Sequence, residues 1–131
     1  MNTATAQNFA TQIAGKIAAS PVGGTHWFDT PAQNCFIVGG VVPSVKLAQG
    51  ASAGVPAIYS GIMSLLHELS DVEAQGIGWW LSDGVLYLDA VGTTLTDSDD
   101  DRENALLCAR EIGEKAIGHW QNGAYAGDIM A

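Results

Sequence analysis

The stretch GIGWWLSDGVLYLDAVGTTLTD, residues 76–97, decides the fold because it predicts a β-hairpin. Asp83-Gly84 stands between two alternating segments, and both residues tolerate the positive φ angles that a type I′ turn needs. A lone hairpin is only marginally stable in water, so further strands or helices must pack against it. The cross-strand pairs that this two-residue loop sets are Ser82–Val85, Leu81–Leu86, Trp80–Tyr87 and Trp79–Leu88.

The predicted hairpin has two different faces, because side chains alternate along a strand. The face expected to meet the core is wholly apolar and carries Ile77, Trp79, Leu81, Leu86, Leu88 and Ala90. The other face is mixed and carries Trp80, Ser82, Val85, Tyr87 and Asp89. A slip of one residue would place two aspartates on the apolar face, so the register is well specified.

Apolar residues at helical spacing predict three helices, over about residues 5–19, 57–70 and 98–112. Thr3 or Thr5 is a candidate N-cap for the first helix, and Ser98 for the third. The spacing Ser70 to Glu73 is that of a capping box. Strands are predicted at Phe36–Val42, with an extended edge through Leu47, and at Ile77–Leu81 and Val85–Val91, while residues 25–34 are predicted to form a loop.

The ending EKAIGHWQNGAYAGDIMA, residues 114–131, allows two interpretations. It could extend the third helix through Ile117 and Trp120, or form a strand over Lys115–Trp120 that turns at Asn122-Gly123. We favour the strand, because glycines at 113 and 118 penalise a helix and Asn-Gly is a hairpin turn signal.

These elements predict an α+β fold, with a small antiparallel sheet centred on the hairpin 77–91 and helices packed on one face. The 131 residues suit a single domain over 1–131, and 47% hydrophobic residues with 15% charged ones indicate a globular chain. No apolar run reaches membrane-spanning length, and residues 1–20 lack the features of a signal peptide. We therefore expect a cytoplasmic protein, in the host cytoplasm if the source is viral, with no membrane partner.

The charge is strongly uneven along the chain. The formal net charge is -9, and thirteen of the 14 acidic residues lie from Glu68 onward. An acidic surface repels phosphate backbones, so we expect no direct nucleic-acid binding and instead a basic protein partner. The alternative is that these acids only keep the protein soluble. The candidate binding residues on the acidic surface are Asp97, Asp99, Asp100, Asp101, Glu103, Glu111 and Glu114, and an aromatic pair, Trp80 and Tyr87, is a second candidate anchor.

The sequence contains no complete catalytic or metal-binding motif. His67-Glu68 lacks the second histidine of a zinc protease motif, and the run 97–101 lacks the glycine and terminal glutamate of a calcium loop. Cys35 and Cys108 show no metal spacing and are expected to be reduced, buried thiols. We expect no metal and no cofactor. An enzyme using His26, Asp29 and Cys35 is a disfavoured alternative, because Cys35 begins an apolar strand.

Three segments carry a resemblance to small, mostly uncharacterised open reading frames of phages, plasmids and actinobacteria. They are FIVGGVVPSVKL at 36–47, GWWLSDGVLYLDAV at 78–91 and ENALLCAREIGEKAIGHWQNG at 103–123. The resemblance implies an accessory protein of a mobile element and a helix followed by a strand at the end of the chain. It implies no catalytic residues. The low charge after Glu114 departs from the more strongly charged endings of that group.

The sequence therefore favours a non-enzymatic, acidic, protein-binding accessory protein. A sharper version is an inhibitor of a host nuclease or defence complex, whose acidic residues mimic phosphates in a basic channel. The alternative is a structural or assembly protein of a phage or of a homo-oligomer, which would use an open sheet edge or the aromatic pair.

Overall fold

The computed structural model describes residues 2–28, 30–69 and 74–131. Asp29 and the capping box from Ser70 to Glu73 lie outside the described residues. The helices are α1 (Thr3–Ala19), α2 (Val55–Glu68) and α3 (Asp99–Ile112), with a short 3₁₀ turn at Gly50–Ser52. The strands are β1 (Gly23–Trp27), β2 (Cys35–Gly39), β3 (Val45–Leu47), β4 (Gly76–Ser82), β5 (Val85–Thr93), β6 (Ala116–Gln121) and β7 (Ala124–Met130).

The central hairpin, β4 and β5, has the predicted register. Ser82 pairs with Val85 and Trp80 with Tyr87, and the pairing continues to Gly76 and Val91. The two loop residues have φ angles of 50° at Asp83 and 75° at Gly84, as a type I′ turn requires.

The sheet is larger than the small sheet that the sequence predicts. It is antiparallel, with the order β1-β4-β5-β2-β6-β7, and β3 pairs with β5. Strand β1 begins at Gly23 and overlaps the predicted loop 25–34, so that part of the prediction is wrong. Its sequence, GGTHW, has no apolar alternation that would predict a strand. It forms a strand through backbone pairing with β4.

All three helices cover the same face of the sheet, as predicted. The apolar face of the hairpin packs against α1 and α2 in one cluster, which contains Ile77, Trp79, Leu86, Leu88, Ala90, Ile13, Ile17, Ile62 and Leu65. Helix α3 packs through Ala105, Leu106 and Ala109 on Phe36 and Ile117. The registers of β2 with β5 and β6 put this second cluster on the same side of the sheet. None of the helices in the described ranges is long and apolar enough to cross a membrane.

The ends of the elements follow local chemistry. The side chain of Asn2, not Thr3 or Thr5, caps α1 by accepting from the Thr5 N–H at 2.8 Å. Ser98 caps α3 as predicted, and Gly113 ends it in the left-handed conformation. The helical spacing of the sequence predicts a buried stripe of Ala105, Leu106, Ala109 and Ile112 on α3. The first three are buried, but Ile112 at the last turn is 44% exposed, so that part of the prediction is wrong.

The ending is a second hairpin, which confirms the strand interpretation. Strands β6 and β7 flank Asn122 and Gly123, whose φ angles are 53° and 78°. A register shift between His119 and Trp120 marks a bulge in this hairpin.

The sheet curls away from the helices. Trp27 of β1 and Trp120 of β6 both point to the helix-free face, and their ring centroids lie only 5.6 Å apart. Three other strands separate β1 from β6 in the sheet, which in a flat sheet would place them about 19 Å apart. The helices therefore cover the convex side, and the concave side is open.

Candidate functional site

The concave side of the sheet holds a cavity of about 740 Å³, within the range of ligand-binding sites. Residues from the two ends of the sheet line it together: Thr25 on β1 and Tyr125 and Asp128 on β7. Its remaining lining comes from the centre of the sheet and from the segment after α3. The mixed face of the predicted hairpin is therefore the wall of a cavity.

A row of side chains crosses the sheet at one end of this cavity. Lys46 pairs with Tyr87, Tyr87 with Trp80, and Trp80 with Gly23. The Trp80 and Tyr87 rings are stacked, with centroids 5.0 Å apart and planes inclined by 8°. The Lys46 ammonium lies 5.8 Å from the Tyr87 centroid, in the range of a cation–π contact. The row ends at Gly23, which has no side chain to cover Trp80.

A second, polar row crosses the sheet beside the first. Asp89 pairs with Gly78, which pairs with Thr25 on β1, and the Ser44 hydroxyl donates a hydrogen bond to Asp89 Oδ1. Asp89 is only 2% exposed. Burial raises the pKa of the Asp89 carboxyl, although the hydrogen bond from Ser44 acts in the opposite direction. This row therefore presents a buried carboxyl group on the concave side, between Ser44 and the small residue Gly78.

A second carboxyl group, that of Glu114, reaches the same cavity from the segment after α3. Gly113 turns the chain with a φ of 80°, and Glu114 then lies against Gly40, where any Cβ would collide with its Oε1. A Cβ at Gly39 would lie 3.3 Å from Asp89 Oδ2, so the Gly39-Gly40 pair lets both carboxyl groups approach the strand end. Burial, and then the charge of Asp89, raise the pKa of Glu114.

This pair of carboxyl groups favours a cation nearby, and Lys46 and Lys115 also line the cavity. Each negative charge disfavours the other, and burial disfavours both. A positively charged group that entered the cavity would relieve both effects and would be hydrogen-bonded by the carboxylates. Stacked aromatic rings beside the pair add a surface for planar or cationic groups.

The structure divides the acidic residues that the sequence groups together. Asp97 lies 3.3 Å from the His119 ring, and Asp101 accepts hydrogen bonds from the backbone N–H and hydroxyl of Thr96. These two carboxylates have local structural partners. The exposed remainder of the predicted acidic surface on α3 is Asp99, Asp100, Glu103 and Glu111. Glu114 does not belong to that surface, because the turn at Gly113 directs it into the cavity.

His26 and Cys35, the two residues of the enzyme alternative that the structure describes, lie on opposite faces of the sheet. His26 lies on the helix side, between Phe9 and Phe28, and its Nδ1 accepts from the Lys16 ammonium at 2.8 Å. Cys35 points to the concave side beside Trp120 and is fully buried, and its pKa is raised by burial and by Asp97. Cys108 is exposed, so the expectation that both thiols are buried is wrong for this residue. Neither cysteine forms a disulfide.

Sequence reasoning found Trp80 and Tyr87 but missed Asp89 and Glu114 as a pair. One signal was present, since Asp89 is the only charged residue in the strand VLYLDAV, residues 85–91. The position of Glu114 had no such signal, because it depends on the packing of Gly40 against the end of α3. Comparisons with protein-family models, with curated proteins and with solved structures found no match for this chain.

Proposed function

We propose that the protein is a non-enzymatic binding protein that takes a basic segment of a partner protein into the cavity of the curled sheet. The observation that carries the proposal is the Asp89–Glu114 carboxyl pair, held beside the Trp80–Tyr87 stack in one ligand-sized cavity. A lysine or arginine side chain complements the carboxyl pair, and the rest of the segment would lie along the open sheet face.

The charge of the whole molecule supports the same partner. A net charge of -9 attracts basic segments and speeds their encounter with the protein. The proposal includes a role as an accessory protein of a mobile element. In its sharper version the partner is a host nuclease or defence complex, which the protein inhibits.

Selection from a displayed library of random decapeptides tests the proposal. We expect the peptides that bind the wild-type protein to be enriched in lysine and arginine. Binding of the selected peptides should weaken at least about tenfold in the double variant Asp89→Asn with Glu114→Gln, because a charged pair partner in a buried site is worth about 1.5–3 kcal/mol.

The matched control is Asp99→Asn with Asp100→Asn, which also removes two carboxylates, but from the exposed start of α3. It should leave the affinity of the selected peptides almost unchanged. If this control loses affinity and the cavity variant keeps it, the acidic surface of α3 is the binding site, as the phosphate-mimic version requires. Selected peptides without an excess of basic residues would contradict the proposal outright.

A further inference from the structure

The aromatic row on the concave side ends in a gap at Gly23, where no side chain stands on the free face of Trp80. Each step of the row crosses one strand, from Lys46 to Tyr87, to Trp80 and then to Gly23. Strands lie about 4.8 Å apart, so a group over Gly23 would stand at stacking distance from Trp80. A Cβ built at Gly23 meets nothing nearer than the Trp79 carbonyl oxygen, at 3.5 Å. The space over Gly23 is therefore open, and Trp80 is 38% exposed beside it.

We infer that this gap receives the guanidinium group of an arginine from the partner segment, stacked on the free face of Trp80. The inference rests on the proposed function and specifies which basic side chain the site recognises and where. The stacked rings of Tyr87 and Trp80 would then lie between two cations, Lys46 at one end of the row and the partner's arginine at the other.

Three features favour arginine over the other side chains that could fill the gap. The rings of Trp80 and Tyr87 are nearly parallel, so the free face of Trp80 is a flat surface directed at β1, and a guanidinium group is planar. The acidic protein favours a cation over a neutral aromatic ring. Thr25, the next residue of β1 on the concave side, brings to this edge of the sheet a hydroxyl oxygen that can accept from guanidinium N–H groups.

The experiment compares three small probes: the Nα-acetyl amides of arginine, of lysine and of citrulline, which is planar like arginine but uncharged. The readout is the indole N–H signal of Trp80 in ¹H–¹⁵N spectra, assigned with Trp80→Phe. We expect the arginine probe to bind about three- to fivefold more tightly than the lysine or citrulline probe, as stacking of a planar cation at a partly exposed site predicts.

A variant that fills the gap gives the decisive comparison. Gly23→Thr suits a strand and meets no close contact, so it should fold with an unchanged melting temperature and lose the arginine-induced shift. Val22→Thr, at an exposed neighbouring position, should keep the shift. Should Gly23→Thr melt at a lower temperature, Trp80→Leu replaces it, with the backbone signal of Thr25 as the readout.

Each outcome separates the two proposals. Equal binding of lysine and arginine, or a shift that persists in Gly23→Thr, overturns the arginine site and leaves a basic segment in the cavity possible. A shift specific to arginine and lost in Gly23→Thr supports the site. If that result came together with selected peptides that are not basic, the arginine site would stand and the proposed partner would fall.

Discussion

Asp89 is a buried acid whose ionised form the fold disfavours. Its pKa is raised in the folded protein, so the folded state binds more protons than the unfolded chain between the ordinary pKa of an aspartate and the raised one. The stability that the protonated form provides is present at low pH and is lost as the pH rises through the raised pKa. The fold is therefore less stable at neutral pH than it would be without the raised pKa of Asp89, a cost that residues of binding sites often impose.

Replacing this acid should make the protein more stable and a weaker binder. Asp89→Asn keeps an oxygen for the Ser44 hydroxyl and cannot ionise, so we expect its melting temperature at pH 7 to rise by a few degrees, a change of about 1 kcal/mol in a chain of this length. The difference from wild type should vanish below about pH 4, where aspartate is protonated even in the unfolded chain. Thermal unfolding followed by circular dichroism at several pH values measures this, and a less stable variant at pH 7 would contradict it.

His26 gives the fold a pH dependence of the opposite sign. Burial, and then the Lys16 ammonium, lower its pKa in the folded state, and its Nε2 is buried without a hydrogen-bond partner among the described residues. An ammonium only donates, so Lys16 holds the ring in the tautomer with its proton on Nε2. Protonation of His26 therefore opposes folding.

The stability of the wild-type protein should fall relative to that of His26→Phe as the pH decreases below about 6.5. In that range the unfolded chain takes up a proton that the folded state resists, so stability is lost by up to about 1.4 kcal/mol per pH unit until the lowered pKa is reached. Urea unfolding of both proteins between pH 7.5 and pH 5 measures the difference, in which the contributions of Asp89 and Glu114 cancel. Parallel stability curves would show that His26 does not titrate as inferred.

The acidic residues at the start of α3 differ in their contacts, because Asp101 is hydrogen-bonded whereas Asp99 and Asp100 are exposed. Ser98 Oγ accepts from the Asp101 N–H at 3.2 Å, and the Asp101 carboxylate holds the preceding turn through Thr96. Asp99 and Asp100 are exposed and gain from the helix dipole, each by roughly 0.3–1 kcal/mol before screening, but they repel each other.

We expect Asp99→Asn with Asp100→Asn to change the melting temperature very little at moderate salt. Asp101→Ala is the contrasting variant and should cost about 1 kcal/mol, because two hydrogen bonds to Thr96 are lost. Thermal unfolding in 150 mM salt, an ionic strength at which charges are screened beyond about 8 Å, measures both. A large loss of stability in the double variant would mean that Asp99 and Asp100 have a structural role, such as binding a cation.

Local sequence patterns predict most of the helices and strands, whereas long-range packing determines the shape of the cavity. Asp83-Gly84 and Asn122-Gly123 carry their turn geometry in their own residue types, so both hairpins were readable from the sequence. Strand β1 was not, because GGTHW has no periodic pattern and forms through its pairing with β4.

The sequence predicts only part of the candidate site. The alternation of the central hairpin put Trp80, Tyr87 and Asp89 on one face. Whether that face was solvated or enclosed depended on the curl of the sheet, which rests on strands far apart in the sequence. Glu114 was assigned to the surface of α3 because it continues the acidic run, whereas the left-handed residue Gly113 redirects it.

The contact that closes the curl also gives it an optical signature. The indoles of Trp27 and Trp120 lie 5.6 Å apart with planes inclined by 71°, so their electronic transitions couple as an exciton pair and produce adjacent circular dichroism bands of opposite sign. A ligand that moved the two edges of the sheet apart would weaken the couplet without unfolding the chain. The intensity of the couplet therefore reports how strongly the sheet is curled.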